Sequence, residues 1–275
     1  MDSKNCNRYS FDIFKKDHKL FIEGHRGVNR EFYQNSIKSF KRAIEYGLDS
    51  IELDIWLTKD KIPVILHGGD EGQLHGHIKD VDKKLTVKNL TLEELLKLKL
   101  KGKEKDEQTV PTFNDVLDLC KNKIFINVEL KDPNINETFT EVIKLIEEKK
   151  MINQIAISSF IHDYYDLILK YNNEHDEKIE FGFLYHDKNE KGAKIKPVNF
   201  NYKGFSMNIY QKDITKEIVD KAHENGMAVL IWFKMKDKES NELYQKLFDY
   251  GIDIMCCNEP KKAKEFRDNV YNKNK

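Results

Sequence analysis

Glu52 and Asp54 stand two residues apart in the run SIELDIWL. If that run is a strand, both carboxylates project from one face. Glu129 and Lys131 repeat the spacing in NVELK. Three carboxylates and an ammonium converging on one place make a site for a hard divalent cation together with an anion. His25 closes the run LFIEGH and is followed by Arg26 and Gly27, while His67 closes PVILH. Imidazole titrates near neutrality, so two histidines at strand ends are candidates for a general base and a general acid. Arg26 supplies a planar fork of donors suited to a phosphate, and Gly27 lets backbone pass close to a ligand. The competing explanation is that these acids are solvated or paired with neighbouring lysines, the usual fate of charges in a chain with 34% charged residues. Two pairs with one spacing, both near the ends of apolar runs, weigh against it.

The elements that must hold these side chains show in the patterning. Short apolar runs rich in β-branched and aromatic residues recur at 20–25, 50–57, 63–67, 124–130, 155–160, 180–185, 204–208, 227–233 and 252–257. They are nearly continuous, as strands buried on both faces should be. Between them lie helical patterns such as NSIKSFKRAIEYG, TFNDVLDLCKN, NETFTEVIKLIEEKK and ITKEIVDKAHENG, two of which end on a glycine where a left-handed cap is expected. Repeated β-then-α units predict parallel strands, in either a closed barrel or a doubly wound sheet.

Of the nine runs, PVILH reads as the return strand of a hairpin turning at Lys59-Asp60-Lys61. About eight strands remain, the number of a closed (β/α)₈ TIM barrel, and such barrels place active sites at the C-terminal ends of their strands. The stretch 68–110 breaks the rhythm with Gly, Asp, Lys and Glu around one short helix, TLEELLKLKL, and is expected as an insertion on the barrel rim. Residues 1–17 are expected as an N-terminal extension, 18–265 as one barrel domain, and 266–275 as a charged, fraying tail.

Lysine plus arginine equals aspartate plus glutamate, 47 each, so no net field draws the chain onto nucleic acid or an acidic membrane. The sequence contains no apolar run of signal-peptide or membrane-spanning character. Cys6, Cys120, Cys256 and Cys257 follow neither a disulfide nor a CxxC metal pattern and read as reduced thiols, which favours the cytoplasm. His75 and His77 form an HxH pattern, but a structural zinc site needs four ligands and this loop has no cysteine. His162, His175, His186 and His223 carry no functional signal, and oligomeric state is not legible.

The segment GHRGVNREFYQNSIKSFKRAIEYGLDSIELDIWLTKDKIPVILH resembles the opening signature of the glycerophosphodiester phosphodiesterases, and the resemblance continues through NVELK, ISSF, GFLY, VLIWF and GIDIMCCNEP, over roughly residues 18 to 265. It implies a barrel in which Glu52, Asp54 and Glu129 hold one divalent cation, Mg²⁺ or Ca²⁺, Arg26 and Lys131 grip the phosphate, and His25 and His67 move protons. It also implies that Trp232 lines the substrate cleft and that Ser158, Ser159 and Phe160 frame the site. The implied reaction is hydrolysis of glycerophosphodiesters such as glycerophosphocholine: a neighbouring glycerol hydroxyl attacks phosphorus, the alcohol leaves, and water opens the cyclic phosphate. Gln34-Asn35-Ser36 stands where the family usually has Glu-Asn-Thr, which puts neutral amides, Gln34 and Asn35, beside the expected metal. Gly68-Gly69-Asp70 follows His67 where the family commonly has aspartate.

Two other readings are weighed. The barrel could bind a phosphate ligand without turning it over, a reading the Gln34 substitution would permit. It could also act on lysophospholipids, with Leu85, Leu90, Leu92, Leu95 and Leu96 lining an acyl groove.

Overall fold

A computed structural model describes residues 19–102, 108–185, 199–202 and 205–273. The expected extension 1–17, Cys6 and His186 lie outside the described residues. Eight strands run parallel and close on themselves: β1 (Phe21–Gly24), β2 (Ser50–Leu57), β4 (Phe125–Leu130), β5 (Ile155–Ser159), β6 (Glu180–Tyr185), β7 (Ser206–Tyr210), β8 (Ala228–Trp232) and β9 (Ile254–Cys257). Closure comes from β1, which pairs with β2 on one side and β9 on the other. The fold is the (β/α)₈ barrel. The return strand β3 (Pro63–Ile65) lies antiparallel on β2, with Ile55 opposite Ile65 and Trp56 opposite Val64. Its turn is closed by hydrogen bonds from Thr58 N to Ile62 O (3.1 Å) and from Lys61 N to Thr58 O (3.0 Å).

Alternation along each strand divides the side chains between two environments. Ile51, Leu53 and Ile55 of β2 join the main core beneath the helices, with Ile126, Val128, Ile157, Phe181, Val229 and Met255. The alternate positions face the lumen. There the apolar residues are few, Ala156, Ala228, Leu230, Ile254 and Cys256, ringed by Phe21, Phe125 and Trp232. Other lumen positions carry polar groups, Glu23, Glu52, Asp54, Asn127, Glu129 and Asn208, which is costly unless they are paired or used.

The helices between the strands include α1 (Ile37–Glu45), α2 (Leu92–Leu96), α3 (Phe113–Cys120), α4 (Ile135–Glu148), α5 (Tyr164–Glu174), α6 (Lys216–Glu224) and α7 (Asn241–Tyr250). Ser36 caps α1 in a reciprocal box, its hydroxyl accepting from Ser39 N while Ser39 Oγ accepts from Ser36 N, both at 3.2 Å. None of the helices among the described residues is long and apolar enough to cross a membrane.

Two expectations need correction. Residues 266–273 of the expected tail do not fray: α8 runs Pro260–Lys273. Ala263, Phe266, Arg267 and Val270 share one helical face, and this is the face that packs, with Phe266 and Arg267 buried. Arg267 pairs with Asp49 and donates to Leu20 O (3.3 Å), and Leu20 N donates to the Tyr271 hydroxyl (2.9 Å). High charge density concealed the amphipathic stripe. The leucines of the insertion do not form a groove either. Leu95 is fully buried with Trp56, Val64, Leu66, Leu74, Ile78, Val87, Leu100 and Val110 in a second small core, and Leu85, Leu90 and Leu92 pack against it. Leu96 alone of the five is exposed.

Candidate active site

The β2–β4 register sets Asp54 beside Glu129 and Glu52 beside Asn127, so two strands bring three carboxylates together at one end of the barrel. One oxygen from each of Glu52, Asp54 and Glu129 lies within 4.8 Å of the others. Lys131, just past β4, reaches back with its ammonium 3.1 Å from Glu129 Oε1 and 3.3 Å from Asp54 Oδ1.

Beyond β1 the ladder continues for one residue, with His25 N donating to Cys257 O at 2.9 Å. The chain then turns sharply through Arg26 and Gly27, at φ of 55° and 78°. A Cβ at residue 27 would come within 2.5 Å of Ser39 Oγ, so α1 can approach this turn only over a glycine. The turn aims Arg26 N at Glu52 Oε2 (2.9 Å) and brings Arg26 Nε to 3.2 Å from Asp54 Oδ2. Asn35 Nδ2 donates to the same Asp54 oxygen at 2.7 Å. Gln34 holds the guanidinium itself, its Oε1 accepting from Arg26 Nη1. Asn35 therefore touches the cluster itself, and Gln34, the amide that stands in place of the usual glutamate, touches its cationic partner Arg26.

His25 Nδ1 donates to Asn258 Oδ1 at 2.9 Å. Asn258 is oriented by its own Nδ2, which donates to Lys234 O, also at 2.9 Å. That bond fixes the His25 tautomer and leaves the Nε2 lone pair toward the cluster, 3.9 Å from Glu52 Oε2. His67 follows β3, its carbonyl accepting from Trp56 Nε1 at 3.1 Å, and the Gly68-Gly69 turn leaves its ring at the cavity. His77, from the insertion, packs edge-on against the His67 ring at 5.8 Å and bonds through Nδ1 to the Tyr33 hydroxyl at 3.1 Å. His77 of the HxH pair thus stands behind a site histidine, and among the described residues it is not part of the acidic cluster.

Of these groups, His25, Arg26, Glu52, His67, Glu129 and Lys131 border one cavity of about 690 Å³ at the C-terminal ends of the strands. Trp232 lines it, with Phe160 edge-on at 5.9 Å and Tyr210 at 5.1 Å. Ser159 is spent on structure, donating to Leu130 O (2.7 Å) and accepting from Ile161 N (2.9 Å). Sequence reasoning missed Glu23, Asn127, Asn258 and Lys234. Glu23, fully buried at the cavity floor, accepts from Ser50 Oγ (2.8 Å) and Asn127 Nδ2 (3.1 Å). The spacing Glu23-x-His25 matches that of Glu52-x-Asp54 and was the available signal.

The electrostatics follow from placing these charges out of water. Burial lowers the His25 pKa to about 3, with help from Arg26, so its imidazole is neutral. Burial, Lys131 and Arg26 also push His67 well below the usual histidine value. Burial would raise Asp54, but Arg26 and Lys131 win and hold it below the carboxylate range. Burial and the Asp54 charge raise Glu52, and burial raises Glu129 against the pull of Lys131. Lys131 stays charged, Glu129 and Asp54 overcoming its desolvation.

The donors fit a divalent cation. All are oxygens, and Glu52 Oε1 is buried with no hydrogen-bond partner, a cost that a cation would remove. A stability consequence follows. Without metal, Glu52 and Glu129, raised from 4.5, favour the folded state below that pH, and the advantage is lost as pH rises through their higher folded values. A cation binds the deprotonated form, so its stabilising increment should be larger at pH 8 than at pH 5, reaching about 2.7 kcal/mol at a hundredfold excess over Kd. Thermal unfolding with EDTA and with Mg²⁺ or Ca²⁺ checks this; equal increments at both pH values would contradict it.

The glycerophosphoryl diester phosphodiesterase family model matches residues 25–262. A glycerophosphodiester phosphodiesterase of Caldanaerobacter subterraneus subsp. tengcongensis is 29% identical over 257 residues, 88% of this chain and 95% of that one. A crystal structure of a putative glycerophosphodiester phosphodiesterase from Galdieria sulphuraria superposes with a TM-score of 0.77 at 23% identity, covering 90% of this chain and 98% of the other. An Oleispira antarctica phosphodiesterase solved with its product sn-glycerol-3-phosphate superposes with a TM-score of 0.70 at 20% identity, covering 91% and 98%. The two structural likenesses bear on the fold.

Proposed function

Since the chain belongs to the glycerophosphoryl diester phosphodiesterase family and hydrolyses glycerophosphodiesters, we propose that His25 and His67 move the protons, that Arg26 and Lys131 hold the phosphate, and that Glu52, Asp54 and Glu129 hold one Mg²⁺ or Ca²⁺. The observation that carries this is the meeting of His25, Arg26, Glu52, His67, Glu129 and Lys131 around one cavity, with Asp54 behind them binding both cationic side chains. A divalent cation bound there would polarise a phosphoryl oxygen and offset its charge.

The family resemblance implies that the attacking oxygen is the substrate's own glycerol hydroxyl; Ser159, committed to backbone partners, and Cys256, a buried thiol whose pKa burial raises well above its ordinary value, do not compete for that role. His25 Nε2 takes the proton of that hydroxyl as its oxygen bonds to phosphorus. In the free site burial, Lys131 and Arg26 keep His67 neutral. The diester's negative charge counters those two cations, allowing His67 to take up a proton and pass it to the departing alcohol. Water then opens the cyclic phosphate with the roles exchanged: His67 removes a water proton and His25 returns its proton to the glycerol oxygen. Arg26 and Lys131 stabilise the charge that gathers on the non-bridging oxygens.

The free, buried thiols of Cys120, Cys256 and Cys257 support a cytoplasmic location, and the balanced charge supports a small-molecule substrate over nucleic acid. The test is release of sn-glycerol 3-phosphate from glycerophosphoglycerol and glycerophosphocholine by the purified chain. Hydrolysis should require Mg²⁺ or Ca²⁺ and stop in EDTA. Metal-independent turnover, or none with any divalent ion, would sink the assignment.

A further inference from the structure

The outer wall of the cavity carries charge that phosphodiester cleavage does not itself require. From the end of β8 the chain reads Trp232-Phe233-Lys234-Met235-Lys236, and all of these except Phe233 border the cavity. Trp232 and Tyr210 form an aromatic pair there. Aromatic faces attract quaternary ammonium groups. In this chain, however, the Lys234 ammonium already lies 4.7 Å from the Tyr210 ring centroid. Tyr210 is buried behind Trp232, so the protein's own cation sets a positive charge beside the aromatic surface that a choline-type group would seek.

The nearby acids do not cancel it. Asp237 is buried, accepting from the Tyr210 hydroxyl (3.1 Å) and from Lys234 N (2.9 Å), with Lys212 Nζ at 4.0 Å. It belongs to the loop's scaffold and does not border the cavity. Among the described residues, Lys234 and Lys236 enter no ion pair. Lys236 is exposed and adds a second positive charge to the same rim. Of the acids that border the cavity, Glu23, Glu52 and Glu129 belong to its floor and to the cation cluster, leaving Asp70 beside Gly69 on the β3 side.

We propose that Lys234 and Lys236 select the alcohol of the diester, favouring leaving groups that are uncharged polyols or anions over quaternary amines. This rests on the activity proposed above and adds a substrate class to it. The phosphate end is common to all such diesters, so discrimination must come from what lies beyond it, where like charges repel and hydroxyl or anionic oxygens accept from ammonium donors.

The experiment compares kcat/KM for glycerophosphoglycerol and glycerophosphocholine in the wild-type chain and in Lys234→Gln/Lys236→Gln, with cation present. The wild type should favour the glycerol diester by about tenfold or more, and the double variant should bring the ratio toward one, mainly by improved use of the choline diester. Raising ionic strength from about 0.02 to about 0.5 M should narrow the wild-type preference. A wild type that takes the choline diester equally or better, or a ratio that the double substitution leaves unchanged, overturns the proposal. Failure to hydrolyse either diester would instead overturn the activity. The preference is read independently by titrating both diesters calorimetrically into His25→Ala, where tighter binding of the glycerol diester supports the rim's role and equal binding refutes it.

Discussion

Asp54→Asn should lower kcat/KM by about a thousandfold or more. One carboxylate serves three partners: Arg26 Nε at 3.2 Å, Lys131 Nζ at 3.3 Å and Asn35 Nδ2 at 2.7 Å. Loss of one preorganised donor typically costs about 10²–10³ in rate, and here two phosphate-facing cations lose their anchor together. An Asn amide cannot accept equally from both, and it also removes one oxygen anion from the proposed cation site. Leaving buried cations unpaired costs about 3–5 kcal/mol of stability, so rates must be normalised to the folded fraction, read by circular dichroism melts. A variant with activity within about tenfold of wild type would show that Asp54 is not the hub of the site.

His25→Ala should cost about 10²–10⁴ in kcat, the usual contribution of a positioned acid or base. Its stability should change little by comparison, because His25 is tied to the fold through its ring by one side-chain bond, to Asn258. Asn258→Ala separates tautomer control from proton transfer. It keeps the imidazole but frees Nδ1, so kcat should fall by less than in His25→Ala, with KM nearly unchanged. Single-turnover kinetics under saturating substrate decide the matter. Equal rates for wild type and His25→Ala would remove this residue from the chemistry.

Much of this was readable from the chain. Period-two spacing put Glu52 with Asp54 and Glu129 with Lys131, and strand alternation is rigid enough that spacing alone fixed a shared face. The hairpin at Lys59–Lys61 was readable because polar turn residues separate two apolar runs. Asn258 was not legible: its contact with His25 spans 233 positions and depends on β9 lying beside β1. Glu23 shares the period-two spacing with His25, but nothing near it in sequence shows the Ser50 and Asn127 donors that satisfy it. The tail was misread for a related reason. Composition averages over a helix's circumference, whereas burial of Phe266 and Arg267 depends on one stripe.

The closing of the barrel also bears on biosynthesis. His25 lies in the first strand's exit, yet Asn258 holds it from beyond the last strand, and Leu20 is secured by Arg267 and Tyr271 of the final helix. A nascent chain emerging from the ribosome therefore offers its first strand to β2 early, but long before β9, the neighbour on its other side, is available. Cleavage of diesters should begin only once residue 258 and the helix after it have been made, and ribosome-tethered chains halted before residue 258 should be inert and sensitive to protease around β1.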